Sequence, residues 1–194
     1  MRFTGNIAGY RRFIKIIWII TNTSFWILLF IFVLMIILGI LSLLGKIQLS
    51  DIMNYLSISP DGVLRFSFSE FNQSQKQSVT TTTFFTAATF SFVYGALNYQ
   101  LIDILRSVQK GSPFVKENAS RLAKMGYILL GGSIIVGFTY SLMVYTIFEA
   151  LKITNISVNF QINSTMFASG LLLLILAGVF RYGSYLQEEY DATL

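Results

Sequence analysis

Four stretches of the chain keep apolar residues dominant over a length that suits a lipid bilayer: Phe25 to Leu44, Thr82 to Ile104, Met125 to Phe148 and Met166 to Phe180. A hydrocarbon core about 30 Å thick needs about 20 mostly apolar helical residues. The fourth stretch reaches that length by taking in residues 162–165 and Tyr182. Residues 8–24, AGYRRFIKIIWIITNTS, crowd Arg11, Arg12 and Lys15 together while Ile14, Ile17, Trp18 and Ile20 are apolar. Such a segment either lies along the membrane surface as an amphipathic helix or extends the first span downward, and one long first helix with a basic interfacial foot is the favoured reading. A signal peptide is the competing reading. The apolar run exceeds a typical h-region and no small-residue cleavage site follows, so an uncleaved first span is expected.

Between the first and second spans, GVLRFSFSEF alternates Leu64, Phe66 and Phe68 with Arg65, Ser67 and Ser69. Between the third and fourth, NISVNFQIN alternates Ile156, Val158, Phe160 and Ile162 with polar residues. Period-two patterns of this kind predict half-buried strands, and the two are expected to pair into a small extracellular sheet. That sheet either caps the helices or receives an extracellular peptide or lipid at its edge. The expected fold class is an all-α integral membrane protein in one membrane domain. It has spans at about 17–44, 82–104, 125–148 and 163–182, a cytoplasmic hairpin over 105–124, outer loops over 45–81 and 149–162, and a tail over 183–194.

Composition fits this reading: 54% of the 194 residues are hydrophobic and only 12% charged, too apolar for an ordinary soluble domain. The chain has no Cys and no His, so disulfides, thiolate chemistry and the commonest metal ligand and general base are excluded. Charge sets the orientation. Arg2, Arg11, Arg12, Lys15, Arg106, Lys110, Lys116, Arg121, Lys124 and Arg181 fall on one side of the four spans. Lys46, Arg65, Lys76 and Lys152 fall on the other, among Asp51, Asp61, Glu70 and Glu149. The positive-inside bias places the first side, and both termini, in the cytoplasm.

The connector KGSPFVKENASRLAKMG, Lys110 to Gly126, is therefore cytoplasmic. Lys110-Gly111 reads as a helix end with a glycine cap, and Ser112-Pro113 as a restart with Ser at the N-cap and Pro at the first helical position. Glu117 and Arg121 stand one turn apart and can pair. Within the spans, Ala87, Ser91 and Gly95 form one stripe of small residues and Ser133, Gly137 and Ser141 another. These predict close packing of the second span on the third, or a homo-oligomer seam. Ionisable groups are nearly absent from the spans: Asp103 and Glu149 fall at span ends, and Asn98 and Gln100 add polarity low in the second. No zinc spacing, phosphate loop or nucleophile–base pair is visible, so neither an enzyme nor a bound cofactor or metal is expected. The basic residues follow membrane topology without base-stacking aromatics, which argues against direct nucleic-acid binding.

SPFVKENASRLAKMG together with the C-terminal FRYGSYLQEEYDATL resembles the paired signatures of the bacterial domain-of-unknown-function family numbered 2975, small four-span membrane proteins. The matching positions are Pro113, Phe114, Glu117, Asn118, Arg121 and Leu122, then Gly183, Leu186, Gln187, Glu188, Glu189, Asp191 and Thr193. The resemblance implies a bacterial cytoplasmic membrane and no settled activity. Members are often encoded beside small helix-turn-helix regulators, which implies a membrane partner for a transcription factor. On the residues themselves, Lys116, Arg121 and Lys124 are expected to face the acidic Glu188, Glu189 and Asp191, with Phe114 against Tyr185 or Leu186. The alternative is a solvated tail and basic residues on anionic lipid. The functional expectation is thus a non-enzymatic regulatory partner. Its alternatives are a peptide-immunity or envelope-stress protein working through the outer sheet and a small transport component.

Overall fold

The structure is a computed structural model, and it describes residues 7–47, 57–58, 66–67, 71–153 and 157–192. Four long helices dominate: α1 (Ile7–Leu43), α2 (Gln73–Gln109), α3 (Lys116–Ala150) and α4 (Ser164–Ala192). At 1.5 Å per residue even α4, with 29 residues, extends about 44 Å. Three of them are long and apolar enough to cross a membrane, over Arg12–Leu43, Lys116–Ala150 and Ser164–Tyr190; α2 is not among these. The chain divides into two compact units. One comprises Met1–Leu29, Phe92–Ser133 and Ser164–Leu194; the other comprises Phe30–Ser91 and Ile134–Asn163.

The helix ends are closed locally. After α1, Gly45 has φ +67° while its N–H donates to the Ser42 carbonyl and that of Lys46 to Leu41. After α3, Lys152 takes φ +55° while its N–H and that of Ile153 donate to Glu149 and Phe148. This double bond from the two residues past the helix satisfies carbonyls that have no intrahelical partner, and it needs a left-handed residue. At the start of α2, Asn72 Oδ1 accepts the Gln75 N–H at 3.0 Å and Gln75 Oε1 accepts the Asn72 N–H at 2.9 Å, a reciprocal cap. Two glutamines of this first turn and the next reach further: Gln75 Nε2 donates to the Ala150 carbonyl and Gln77 Nε2 to the Ser42 carbonyl, each at 2.8 Å. The start of α2 thereby closes the ends of α3 and α1.

The polarity of α2 has a structural use. Thr82, Thr83, Thr86, Thr89 and Ser91 all donate to carbonyls three or four residues back, so no hydroxyl among them is left unmet. The second unit also joins its helices through hydroxyls: Ser42 with Thr81 at 2.8 Å, Thr82 with Thr146 at 2.9 Å, and Thr86 sharing its one hydrogen between the Thr82 carbonyl and the Thr139 carbonyl, the latter at 3.0 Å. Around these bonds Phe71, Val79, Met143 and Ile147 form a buried apolar cluster. In the first unit the corresponding cluster is Ile104, Leu122, Met125 and Ala177.

Close approach in the first unit is made by glycines. A Cβ on Gly126 of α3 would lie 2.8 Å from Leu174 and 3.0 Å from the Gly170 carbonyl oxygen, and one on Gly170 of α4 would lie 3.0 Å from the Gly126 carbonyl oxygen. Backbone thus meets backbone, the geometry small residues permit in lipid. The predicted stripes are used differently. Gly95 faces Leu28 of α1, and Gly137 lies so close to the Gln161 carbonyl that any Cβ would overlap it. Ser91, Ser133 and Ser141 donate to the carbonyls of Ala87, Leu130 and Gly137 in their own helices. In the first unit α2 meets α3 where Val93 stands over Gly132.

Two sequence expectations are corrected. The sheet predicted between the first and third outer loops does not form among the described residues: Phe66–Ser67 pairs antiparallel with Ser57–Ile58, and residues 157–163 carry no strand. The reason is that this segment packs on α3 instead. Its backbone at Gln161 sits on Gly137, Phe160 meets Phe138 with ring centroids 6.0 Å apart, and Val158 lines a cavity there. Leu64, Phe68 and Ile156 lie outside the described residues. The outer loop expected to run to residue 81 is also shorter, because α2 begins at Gln73.

Candidate functional site

The turn between α2 and α3 gathers most of the residues singled out in the connector. Gly111 has φ +83°, its N–H donates to Val108, and the Ser112 N–H donates to Ser107, so α2 closes as the Lys110-Gly111 pair predicts. The restart differs: α3 begins at Lys116, and Ser112-Pro113 is not its cap. Asn118 explains the shift. Its side chain is fully buried, and Nδ2 donates both to the Pro113 carbonyl at 2.9 Å and to Ser107 Oγ at 2.6 Å. The Pro113-Phe114 turn is thereby held against α2, and the first turn of α3 forms only beyond it. There the Asn118 N–H bonds to the Val115 carbonyl.

The acceptor side of Asn118 completes a network. Oδ1 takes a hydrogen bond from Arg121 Nη1 at 2.8 Å, and Arg121 Nη2 stands 3.9 Å from Asp103, which also pairs with Arg106 at 3.2 Å. Both amide donors and the amide oxygen of Asn118 are therefore satisfied. Asn118 and Arg121 stabilise the hairpin, and Arg121 faces Asp103 rather than Glu117 or the acidic end of α4. Asp103 and Ser107, which complete this network, were not legible as members of it. The one signal was the three-residue spacing of Asp103 and Arg106.

The C-terminal motif is not a separate tail: α4 continues as helix to Ala192. Phe114 reaches α4 one turn earlier than expected, with its ring 5.2 Å from that of Phe180 and 3.2 Å from where a Gly183 Cβ would be. Among the described residues no ion pair joins Lys116, Arg121 or Lys124 to Glu188 or Glu189. Beyond the buried Ser184, residues 185–190 are exposed on every side of the helix: Tyr185, Leu186, Gln187, Glu188, Glu189 and Tyr190. Lys116, Glu117 and Lys124 are exposed as well, whereas the side chain of Asp191 is not described.

The turn and the last turns of α4 each carry exposed aromatic and charged groups, and the hairpin at the turn is fixed by buried hydrogen bonds. In the second unit a cavity of about 230 Å³ lies between Tyr140, Ser141, Val144 and Phe148 of α3 and Ser157, Val158, Asn159 and Gln161.

These features define a helical protein with three helices suited to a lipid bilayer and a tightly bonded interhelical turn. The chain belongs to the family described as Protein of unknown function (DUF2975), whose model matches residues 63–194. That range takes in α2, α3, α4 and both motifs, and leaves α1 outside it. No curated protein and no solved structure matches the chain.

Proposed function

We propose that this chain is a non-enzymatic regulatory protein of a bacterial cytoplasmic membrane that holds a small helix-turn-helix regulator at its inner face. In this reading α2 is a fourth span and both termini are cytoplasmic. Residues 82–101 of α2 contain no Asp, Glu, Lys or Arg, and their threonine and serine hydroxyls are bonded within the protein, as a span enclosed by other helices requires. The orientation rests on the excess of Lys and Arg beside α1, the α2–α3 turn and the end of α4.

The observation that carries the docking role is the last turns of α4, exposed all round with Tyr185 and Tyr190 at 59% and 65% exposure beside Glu188 and Glu189. A helix-turn-helix domain presents a basic face that otherwise neutralises phosphate. Two carboxylates flanked by aromatic side chains suit that face in charge and in shape. The test is affinity purification from gently solubilised native membranes, beside a Leu186→Ala, Glu188→Gln, Glu189→Gln variant that spares the Asn118 network. Enrichment of a small helix-turn-helix protein with the wild type, lost in the variant and at raised salt, is the expected result. If the wild type retains no such partner, the reading fails. The cavity on α3 favours a second reading, in which the opposite end meets an outer peptide as an immunity or envelope-stress protein would.

A further inference from the structure

Two buried N–H donors of the first unit have no acceptor among the described residues: Trp18 Nε1 on α1 and Gln109 Nε2 at the end of α2. Buried donors are nearly always paired, so both call for an acceptor from outside the chain. They also lie toward the same end of one helix pair. α1 and α2 touch where Asn98 Nδ2 donates to Ser24 Oγ at 3.1 Å and Phe25 meets Tyr99 at 6.0 Å, and Gly95 faces Leu28, which makes the two helices antiparallel. From the Ser24–Asn98 contact, Trp18 stands about 9 Å and Gln109 about 16 Å along in the same direction, at 1.5 Å per residue. On α2 the helical repeat puts Gln109 on the side of Gly95 and Asn98, which face α1. On α1 Trp18 borders the buried stripe of Ile14 and Thr21.

Cations surround that level. Arg12 and Lys15 precede Trp18 by about one and a half turns and one turn, Lys110 follows Gln109, and all three are exposed and pair with no carboxylate among the described residues. Donors and positive charge without acceptors specify phosphate oxygens. The depth specifies their source. The two donors are about 7 Å apart along the helices, and one headgroup layer occupies about 5–8 Å on each side of the hydrocarbon core. Trp is favoured at that depth.

We propose that this end of the α1–α2 pair is a binding site for an anionic phospholipid. Both N–H groups are covered in this structure, so the lipid's phosphate and glycerol-ester oxygens accept from Trp18 Nε1 and Gln109 Nε2 by turning aside the side chains over them, while Arg12, Lys15 and Lys110 supply the opposing charge. The site is independent of any cytoplasmic partner.

The chain has two tryptophans, so Trp26→Phe leaves Trp18 as the one indole. The full-length Trp26→Phe protein, reconstituted in vesicles, is titrated with chain-brominated phosphatidylglycerol or chain-brominated phosphatidylcholine, and quenching of Trp18 is followed. Phosphatidylglycerol is expected to quench at a several-fold lower mole fraction. That preference should fall by up to about fivefold in either Arg12→Gln or Lys15→Gln and vanish when both cations are removed. Gln109→Leu should reduce it too, with unchanged helicity. The two cation variants alter exposed side chains and keep the test valid if Gln109→Leu does not fold. Equal quenching by the two lipids, or a preference that survives both cation variants, overturns the proposal. Millimolar inorganic phosphate that abolishes the preference at constant ionic strength also overturns it, because the site would then take a free anion rather than a lipid.

Discussion

Replacing Gly126 by Ala puts a carbon where Leu174 and the Gly170 carbonyl already stand. The new Cβ would be 2.8 Å from Leu174 Cγ and Cδ2 and 3.0 Å from the Gly170 oxygen. Carbon atoms settle at about 3.5–4.0 Å, so α3 and α4 must separate or Leu174 must move by about 1 Å. Overpacking of this size costs about 1–3 kcal/mol. Against it stands the gain of about 1 kcal/mol that Ala brings over Gly in a helix interior, so the net loss is about 0–2 kcal/mol. Gly131 and Gly178 provide the reference, because a Cβ at either meets nothing within 4 Å. Gly131→Ala and Gly178→Ala carry the propensity gain without the clash, and the difference between them and Gly126→Ala isolates the packing cost at about 1–3 kcal/mol.

The assay is reversible unfolding in mixed micelles followed by helical circular dichroism, on the three glycine variants, on Leu174→Ala and on Gly126→Ala combined with Leu174→Ala. Removing the Leu174 side chain deletes two of the three close contacts and leaves the Gly170 oxygen. The double variant should therefore lose less stability than the two single losses sum to, by about 0.5–2 kcal/mol of coupling. Equal stability of Gly126→Ala and Gly131→Ala, with additive losses in the double variant, would refute the reasoning that these glycines set the α3–α4 distance.

Asn118→Ala removes three buried hydrogen bonds and is expected to cost about 3 kcal/mol at about 1 kcal/mol each, with faster proteolysis at residues 110–115 as the readout. Lys152→Gly relieves a left-handed backbone that costs a side-chain-bearing residue about 1–2 kcal/mol, and it should raise the unfolding midpoint, whereas Lys152→Ala should not. Gly137→Ala meets backbone rather than a movable side chain and should loosen residues 157–163 from α3, read as loss of the Phe138–Phe160 proximity by paired spectroscopic labels placed at those positions.

The parts of the fold that depend on one helix at a time were open to the sequence. Gly111 ends α2 in the way the Lys110-Gly111 pair predicts, because a left-handed cap needs only local geometry. The start of α3 was not, because Asn118 draws the Pro113 carbonyl toward itself and delays the helix to Lys116, and Asn118 becomes a turn-former only when Ser107 lies opposite. Small-residue stripes fared likewise. Four-residue spacing shows that a face is narrow and is silent about which neighbour uses it; Gly95 turned out to serve α1 and Gly137 the 157–163 segment. The Gly126–Gly170 approach pairs two glycines far apart in sequence, and no pattern along one chain marks such a pair.

α2 shows how a long helix can form without the hydropathy of its neighbours. The run QSVTTTT has no apolar periodicity and β-branched threonines, so it resembles loop or strand; yet it opens a helix of 37 residues, announced only by the Asn72 to Gln75 capping spacing. Once its hydroxyls bond to carbonyls three and four residues back, the helix presents little unmet polarity, and what remains bonds to Ser42, Thr139 and Thr146. The three helices with strong hydropathy are the converse, with only 11%, 33% and 17% of their most apolar windows buried inside the protein. In water that arrangement would leave large apolar surfaces unmatched. In lipid it places apolar surface against acyl chains and hydrogen-bonding groups against one another, so the helix that hydropathy rejects is the one whose polar side chains bond to α1 and α3.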